Sequence, residues 1–284
     1  MPSLEMDANA KINLSLDVLR KRDDGYHDLR MIMQSVELHD TVLLETGGSG
    51  IRVDCDSRWV RGDCSNTAYK AAALIMDKHG VKSGLKIRII KRIPVAAGMA
   101  GGSADAAAVL KGLNRMFSLG LETAGLMTLG RQIGADVPYC VAGGTMLAEG
   151  TGELLTPLKP FQGVNLVILK PKIGVSTAWA FKNLDLGKPL DRPDTELLTA
   201  AVENGDIEAV AANMKNVLES VTIPRYGVVD EARRRLTELG ALGSMMSGSG
   251  PSVFGIFAGR DGAAAAGEAA SRDIRWDCHV TYTI

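Results

Sequence analysis

The sequence carries almost no net charge: 32 Lys and Arg stand against 33 Asp and Glu in 284 residues, leaving −1. That balance excludes a protein that grips nucleic acid through bulk positive charge. Long apolar runs are also missing. Although 46% of residues are hydrophobic, no stretch approaches the roughly 20 residues of a membrane-spanning helix. Cysteine is scarce. Cys55, Cys64, Cys140 and Cys278 form no C-x-x-C pair and fit no zinc spacing, so all four are expected to be small apolar residues of a reduced protein. His27, His39, His79 and His279 are scattered, and no histidine-based metal site is expected. The start, MPSLEMDANAK, lacks the basic beginning and apolar stretch of a secretory signal, and it is too acidic for a transit peptide. A cytoplasmic, bacterial location is the expectation. No repeat of 20–50 residues and no segment of disordered composition is visible.

Glycine, by contrast, is abundant: 32 in 284 residues, about 11% where roughly 7% is ordinary. The excess means either low complexity or tight loops, and position decides. Residues 11–18 alternate, with Ile12, Leu14, Leu16 and Val18 on one side and Lys11, Asn13, Ser15 and Asp17 on the other, the pattern of a half-buried strand. Residues 85–90 begin in the same way and then lose the pattern. Asn66 is a candidate cap for a helix running to His79 and stopped by Gly80. A second helix is predicted from near Ser103 through the alanine-rich run to Phe117, and a third over 122–133. The prolines of Thr156-Pro-Leu-Lys-Pro160 set a boundary between domains 1–155 and 160–284. Beyond it the pattern predicts a strand from Val164 to Leu169, helices near 195–203, 206–219 and 227–239, and strands Ser252–Phe257 and Trp276–Thr283. Strands and helices mixed without regular alternation indicate two α+β domains.

The densest glycine cluster is Pro94-Val-Ala-Ala-Gly98-Met-Ala-Gly101-Gly102-Ser103-Ala-Asp105. It follows a strand and opens a helix, whose free N–H groups and positive dipole end form a ready site for phosphate. Ser103 is placed to cap the helix or to offer a hydroxyl to a phosphate oxygen. Asp105, in the first turn, is placed to meet the dipole or a bound Mg²⁺. Two common phosphate motifs fail: no Lys follows the glycines as G-x-x-x-x-G-K-[ST] requires, and G-x-G-x-x-G is not matched. H-R-D and D-F-G are absent too. Further glycines, Gly143-Gly144 and Gly150-Thr-Gly152, flank a short strand, and Ser247-Gly-Ser-Gly250-Pro-Ser252 precedes an apolar one.

Together these residues resemble the superfamily of galactokinase, homoserine kinase, mevalonate kinase and phosphomevalonate kinase (GHMP). Pro94 to Ala104 is similar to its phosphate loop, and Ser247–Phe254 to its third motif. The blocks Ala8-Asn-Ala-Lys11-Ile-Asn13-Leu, Arg22-Asp-Asp-Gly25-Tyr26-His27 and Gly134-Ala-Asp136-Val-Pro138 resemble the branch that phosphorylates the 2-hydroxyl of 4-diphosphocytidyl-2-C-methyl-D-erythritol, in the non-mevalonate route to isoprenoid precursors. Met99 stands where Leu is commoner, and Ala100 and Ala104 replace the Gly and second Ser of some relatives.

What the resemblance implies is an α+β, two-domain kinase, ATP held by the N-terminal domain and the active site in the cleft between domains. Lys11 and Asp136 would be the catalytic pair. Pro94, Val95, Ala96, Ala97, Gly98, Met99, Ala100, Gly101, Gly102, Ser103 and Ala104 would hold the ATP phosphates, with Asn66 and Lys91 beside the adenine. Asn13, Tyr26, His27, Thr177 and Phe181 would bind the cytidine substrate. Mg²⁺ would arrive on ATP, with the Ser103 hydroxyl as its one protein oxygen, and the chain would be a monomer or weak homodimer. Three other readings stand beside this one: a homoserine or mevalonate kinase, to which a cytosine pocket is useless; a nucleotide sensor, which needs no proton acceptor; and a structural α+β protein, which binds no ATP.

Overall fold

The computed structural model describes residues 3–284; Met1 and Pro2, the start of the N-terminal stretch read above, lie outside the described residues. The chain forms two compact units, each assembled from separate stretches. The first takes the N-terminal segment as far as Ala10 together with Leu38–Val95 and Ala100–Gly143; the second takes Lys11–Glu37, Ala96–Met99 and Gly144–Ile284. Two long strands, β1 (Ser3–Lys21) and β2 (His27–Thr46), give part of their length to each.

The first unit adds β3 (Ile51–Cys55), α1 (Thr67–Lys78) and β4 (Leu85–Ile90). β4 pairs antiparallel with Thr41–Thr46 of β2 and parallel with β3. Leu85, Ile87 and Ile89 are buried while Lys86 and Arg88 face solvent, so the alternation runs further than the sequence suggests. α1 begins where expected, with Asn66 Oδ1 accepting the Ala68 N–H at 2.8 Å, and Gly80 follows its end at φ 64°. α2 (Gly101–Met116) starts earlier than expected. The chain enters it through Ala100 in a left-handed conformation, so Ser103 is the third helical residue and not the cap. Asp105 lies beyond the first turn and is buried, which removes the expected dipole role. Small residues let α2 settle closely on the sheet: a Cβ on Gly112 would fall 2.4 Å from Leu44 of β2. α3 (Thr123–Arg131) and α4 (Val137–Ala142) pack beside it.

In the second unit, β5 (Thr145–Gly150) pairs antiparallel with Leu29–Gln34 of β2, and β6 (Leu154–Pro157) with β5. There follow β7 (Asn165–Pro171), α5 (Thr177–Asn183), α6 (Thr195–Asn204), α7 (Ile207–Asn213), β8 (Lys215–Asn216), α8 (Glu219–Arg225), α9 (Val228–Glu238), β9 (Gly243–Met246), β10 (Val253–Phe257), α10 (Arg260–Ser271) and β11 (Trp276–Tyr282). A four-stranded antiparallel sheet of order β11-β7-β10-β9 carries α9 and α10. Among the described residues no helix is long and apolar enough to cross a membrane.

Two expectations change here. The helix expected over 206–219 is interrupted, because Lys215 and Asn216 extend to pair in parallel with Ser15 and Leu16 of β1. The strand expected to be half-buried over 11–18 is buried on both faces: Lys11, Asn13, Ser15 and Asp17 are all enclosed. Each of these polar side chains has a partner, as burial demands. Lys11 Nζ donates to Asn13 Oδ1 at 2.7 Å, Ser15 Oγ accepts the Ile32 N–H at 3.1 Å, and Asp17 Oδ1 takes Arg192 at 2.5 Å.

Candidate active site

Two groupings of the expected residues are visible, one in each unit. In the first, α2 opens directly on the glycine-rich loop. Its first three N–H groups, on Gly101, Gly102 and Ser103, have no helical carbonyl to serve and are available to an anion, with the positive end of the dipole behind them. Thr67 Oγ1 of α1 donates to the Gly102 carbonyl at 2.6 Å and ties the two helices at this point. A Cβ on Gly134 would lie 3.9 Å from Ser103 Oγ, so the turn Gly134-Ala135-Asp136 sits beside the N-terminus of α2. Asp136 occupies the N-cap position of α4, yet its carboxylate makes no capping bond. Asp136, two residues after Gly134, therefore keeps a carboxylate that is not spent on stabilising a helix.

In the second unit, residues 96–99 of the loop meet Lys11 and the 247–250 turn. Gly98 has φ 75°, and a Cβ there would fall 2.1 Å from the Ser247 carbonyl oxygen. Ser247 Oγ donates to the Gly98 carbonyl at 3.0 Å, Ser252 N–H to Ala97 at 3.3 Å, and Lys11 N–H to Met99 at 3.2 Å. A Cβ on Gly248 would stand 3.4 Å from Lys11 Nζ. This ammonium is 5% exposed and has no carboxylate partner among the described residues. A buried cation held by one amide oxygen is poised to receive an anion.

The same unit assembles the residues expected at the cytidine substrate. Asn13 gives its Nδ2 to Met31 Sδ at 3.3 Å while its Oδ1 steadies Lys11. The rings of His27 and Phe181 lie 5.2 Å apart at 34°. Thr177, one turn before Phe181 on α5, shares a 2.9 Å hydrogen bond with Ser249 of the glycine turn. Tyr26, next to His27 in the chain, has a largely exposed side chain and an N–H bonded to Asp24 at 3.0 Å. Trp179 packs edge-on to Tyr226, with centroids 5.5 Å apart.

Two family descriptions match these stretches: GHMP kinases N terminal domain over residues 66–144, and GHMP kinases C terminal over residues 198–274. A protein of Acetivibrio thermocellus named 4-diphosphocytidyl-2-C-methyl-D-erythritol kinase is 57% identical over the full length of both chains. The chain belongs to the GHMP kinase family. A similarly named protein of Clostridium botulinum is 51% identical over 89% of this chain and 91% of its own. Among solved structures, a 4-(cytidine 5'-diphospho)-2C-methyl-D-erythritol kinase superposes with a TM-score of 0.84 at 32% identity, covering 99% of each chain. A homoserine kinase from Cytophaga hutchinsonii, at 21% identity and a TM-score of 0.78 over 100% of this chain and 95% of its own, shares the fold.

In this GHMP kinase, burial near Lys21 holds the His27 imidazole below its ordinary pKa, so the ring is neutral at pH 7. Asn66 spends its side chain on the α1 cap and on the Arg61 carbonyl at 2.7 Å. Lys91 is enclosed between Asp40 and Asp105. Burial opposes its charge, but the two carboxylates outweigh that and raise its pKa. Several supports of the kinase's glycine turn carry no sequence signal. Asn216 Nδ2 donates to the Met246 and Gly248 carbonyls, both at 2.8 Å; Glu219 accepts the Met246 N–H at 2.8 Å; and Thr222 Oγ1 donates to the Ser249 carbonyl at 3.3 Å. Burial pushes the Glu219 carboxyl up. Asn216 on β8 and Glu219 at the start of α8 fall in the stretch 206–219, where sequence periodicity suggests one continuous helix, and Thr222 follows on α8.

Proposed function

We propose that this chain transfers the γ-phosphoryl group of ATP to the 2-hydroxyl of 4-diphosphocytidyl-2-C-methyl-D-erythritol. The reading rests above all on the His27–Phe181 ring pair, which shares a unit with Lys11, Asn13 and the glycine turn. An aromatic wall with a neutral imidazole suits a pyrimidine, and neither homoserine nor mevalonate offers a ring to it. Phe181 stacks on the cytosine, His27 bonds its edge, and Tyr26 packs on the other face, with Thr177 alongside.

Phosphoryl transfer to an alcohol requires positioning, stabilised charge and a destination for the hydroxyl proton. The N–H groups of Gly101, Gly102 and Ser103 hold the ATP phosphates, and residues 94–100 shape the loop that leads to them. Asp136 accepts the proton of the 2-hydroxyl. Lys11, steadied by Asn13, orients that hydroxyl and offsets the negative charge that develops. Asn66 and Lys91 border the adenine end. The described residues contain no group of three His, Cys, Asp or Glu able to hold a metal ion. Mg²⁺ would arrive on the ATP phosphates, with Ser103 as the one hydroxyl of the loop within the stretch that holds them.

An assay of ADP release, offering the cytidine substrate, homoserine and mevalonate in parallel, tests this reading. Turnover with the cytidine compound alone is expected; turnover with either other acceptor and none with it would refute the assignment. Phe181→Ala is expected to cost about 1–3 kcal/mol of base stacking, raising the KM for the cytidine substrate about 5- to 150-fold with the KM for ATP unchanged. Because the pKa of His27 is lowered, the KM for the cytidine substrate should stay flat from pH 8 to about 6.5 and rise only below that, as the imidazole gains a proton.

A further inference from the structure

We propose that Asp105, working through Lys91 and Asp40, is a positioning residue for ATP: the three side chains clamp together the two flanks of the phosphate loop. The proposal rests on the kinase reading and adds a device to it. Asp40 is fully buried at the end of β2's sheet contact with β4. Its Oδ1 accepts the N–H groups of Arg92 at 2.6 Å and Ile93 at 2.8 Å, the residues that lead into the loop. Its Oδ2 takes the Lys91 ammonium. The same ammonium donates to Asp105 Oδ2 at 2.9 Å, on the second turn of α2 beyond the loop. It passes directly beneath the first residue of that helix, since a Cβ on Gly101 would lie 3.2 Å from Lys91 Nζ.

One ammonium thus joins the strand side of the loop to its helix side. The need for such a clamp is visible in the backbone. Ala96 and Ala100 hold φ angles of 52° and 58°, a left-handed conformation unfavourable for an L-residue that persists only where its surroundings over-determine it. The arrangement is also more elaborate than charge neutrality requires. Lys91 with Asp40 alone would balance, yet a second carboxylate is buried here with its Oδ1 unpartnered among the described residues. An unmet buried oxygen is costly, which marks Asp105 as retained for geometry, not for stability. Consistent with a crowded acidic pair, burial together with Asp40 outweighs Lys91 and raises the Asp105 pKa to about 7.

The test compares Asp105→Ala, Asp105→Asn and wild type by calorimetric titration with ATP and Mg²⁺ and by steady-state kinetics. Asp105→Ala frees the helix side of the clamp while Lys91 keeps Asp40, so the protein stays folded. It is expected to weaken ATP about tenfold or more, with the KM for the cytidine substrate within about twofold. Asp105→Asn, whose amide oxygen still accepts from Lys91, should recover ATP affinity to within about threefold. Unchanged ATP affinity in Asp105→Ala would overturn the proposal. So would an equal rise in both KM values with no rescue by Asn, which is the signature of general loosening. The kinase reading is judged separately on the wild type, by whether it binds ATP and which acceptor it phosphorylates.

Discussion

Asp136→Asn is expected to lower kcat by about 10²–10⁴-fold, the usual worth of a positioned acid or base, while ATP affinity stays within about twofold of wild type. Asn has the same shape and cannot take the hydroxyl proton. The substitution is clean because the Asp136 carboxylate caps nothing in α4, so Tm should move by no more than a degree or two. Single-turnover kinetics separate the chemical step from product release, and the loss should fall on chemistry. Near-normal turnover would remove Asp136 from proton transfer. A drop of only about tenfold would assign it a mainly orienting part, as a loose, metaphosphate-like transition state allows.

Gly98→Ala should cost most of the activity through a single methyl group. At φ 75° the new side chain enters the left-handed region, which costs about 1–2 kcal/mol by itself. The larger effect is steric: the Cβ would meet the Ser247 carbonyl oxygen at 2.1 Å and the Gly250 nitrogen at 3.1 Å. Both are backbone atoms and cannot swing aside. Either the loop or the glycine turn must move, and with it the hydrogen bonds that join Ala97, Gly98 and Met99 to Ser252, Ser247 and Lys11. A displacement of about 1 Å at a reacting centre costs on the order of 10²-fold in rate. Activity is therefore expected to fall at least 100-fold, with a loss of Tm. Gly80→Ala is the control: φ is 64°, but nothing lies within 4 Å of its Cβ. It should pay the backbone cost alone and keep full activity, and equal damage in both variants would show that strain, not the clash, is responsible.

Much of this could be read along the chain because it is local. The Asn66 cap, the stop at Gly80, the strand before Pro94 and the helix after it each depend on neighbours within a few residues, and they stand as expected. α2 starts earlier than the sequence pattern indicates for an equally local reason: a left-handed Ala100 is not what an alanine advertises. The break at Lys215-Asn216 was hidden because pairing with β1, some 200 residues earlier, overrides the helical pattern.

The charged and polar residues mark the same division more sharply. The chemical kit is legible in the chain alone: a glycine-rich loop feeding a helix, a Lys and an Asp in family blocks, a His beside a Tyr, and a near-neutral charge that leaves anion binding to local groups. Which polar groups are enclosed, and with whom, is settled by contacts distant in sequence. Lys11, Asn13, Ser15 and Asp17 read as the wet face of a strand and are buried; Asp40 and Asp105 read as ordinary acids and converge on Lys91. Alternation reports which side chains share a face, but burial depends on what is laid against that face by segments far away in sequence. The abundant glycines are the exception that spans both levels. Their positions were legible from the start, and the structure adds the reason at Gly98, where the backbone of another loop occupies the space a side chain would need.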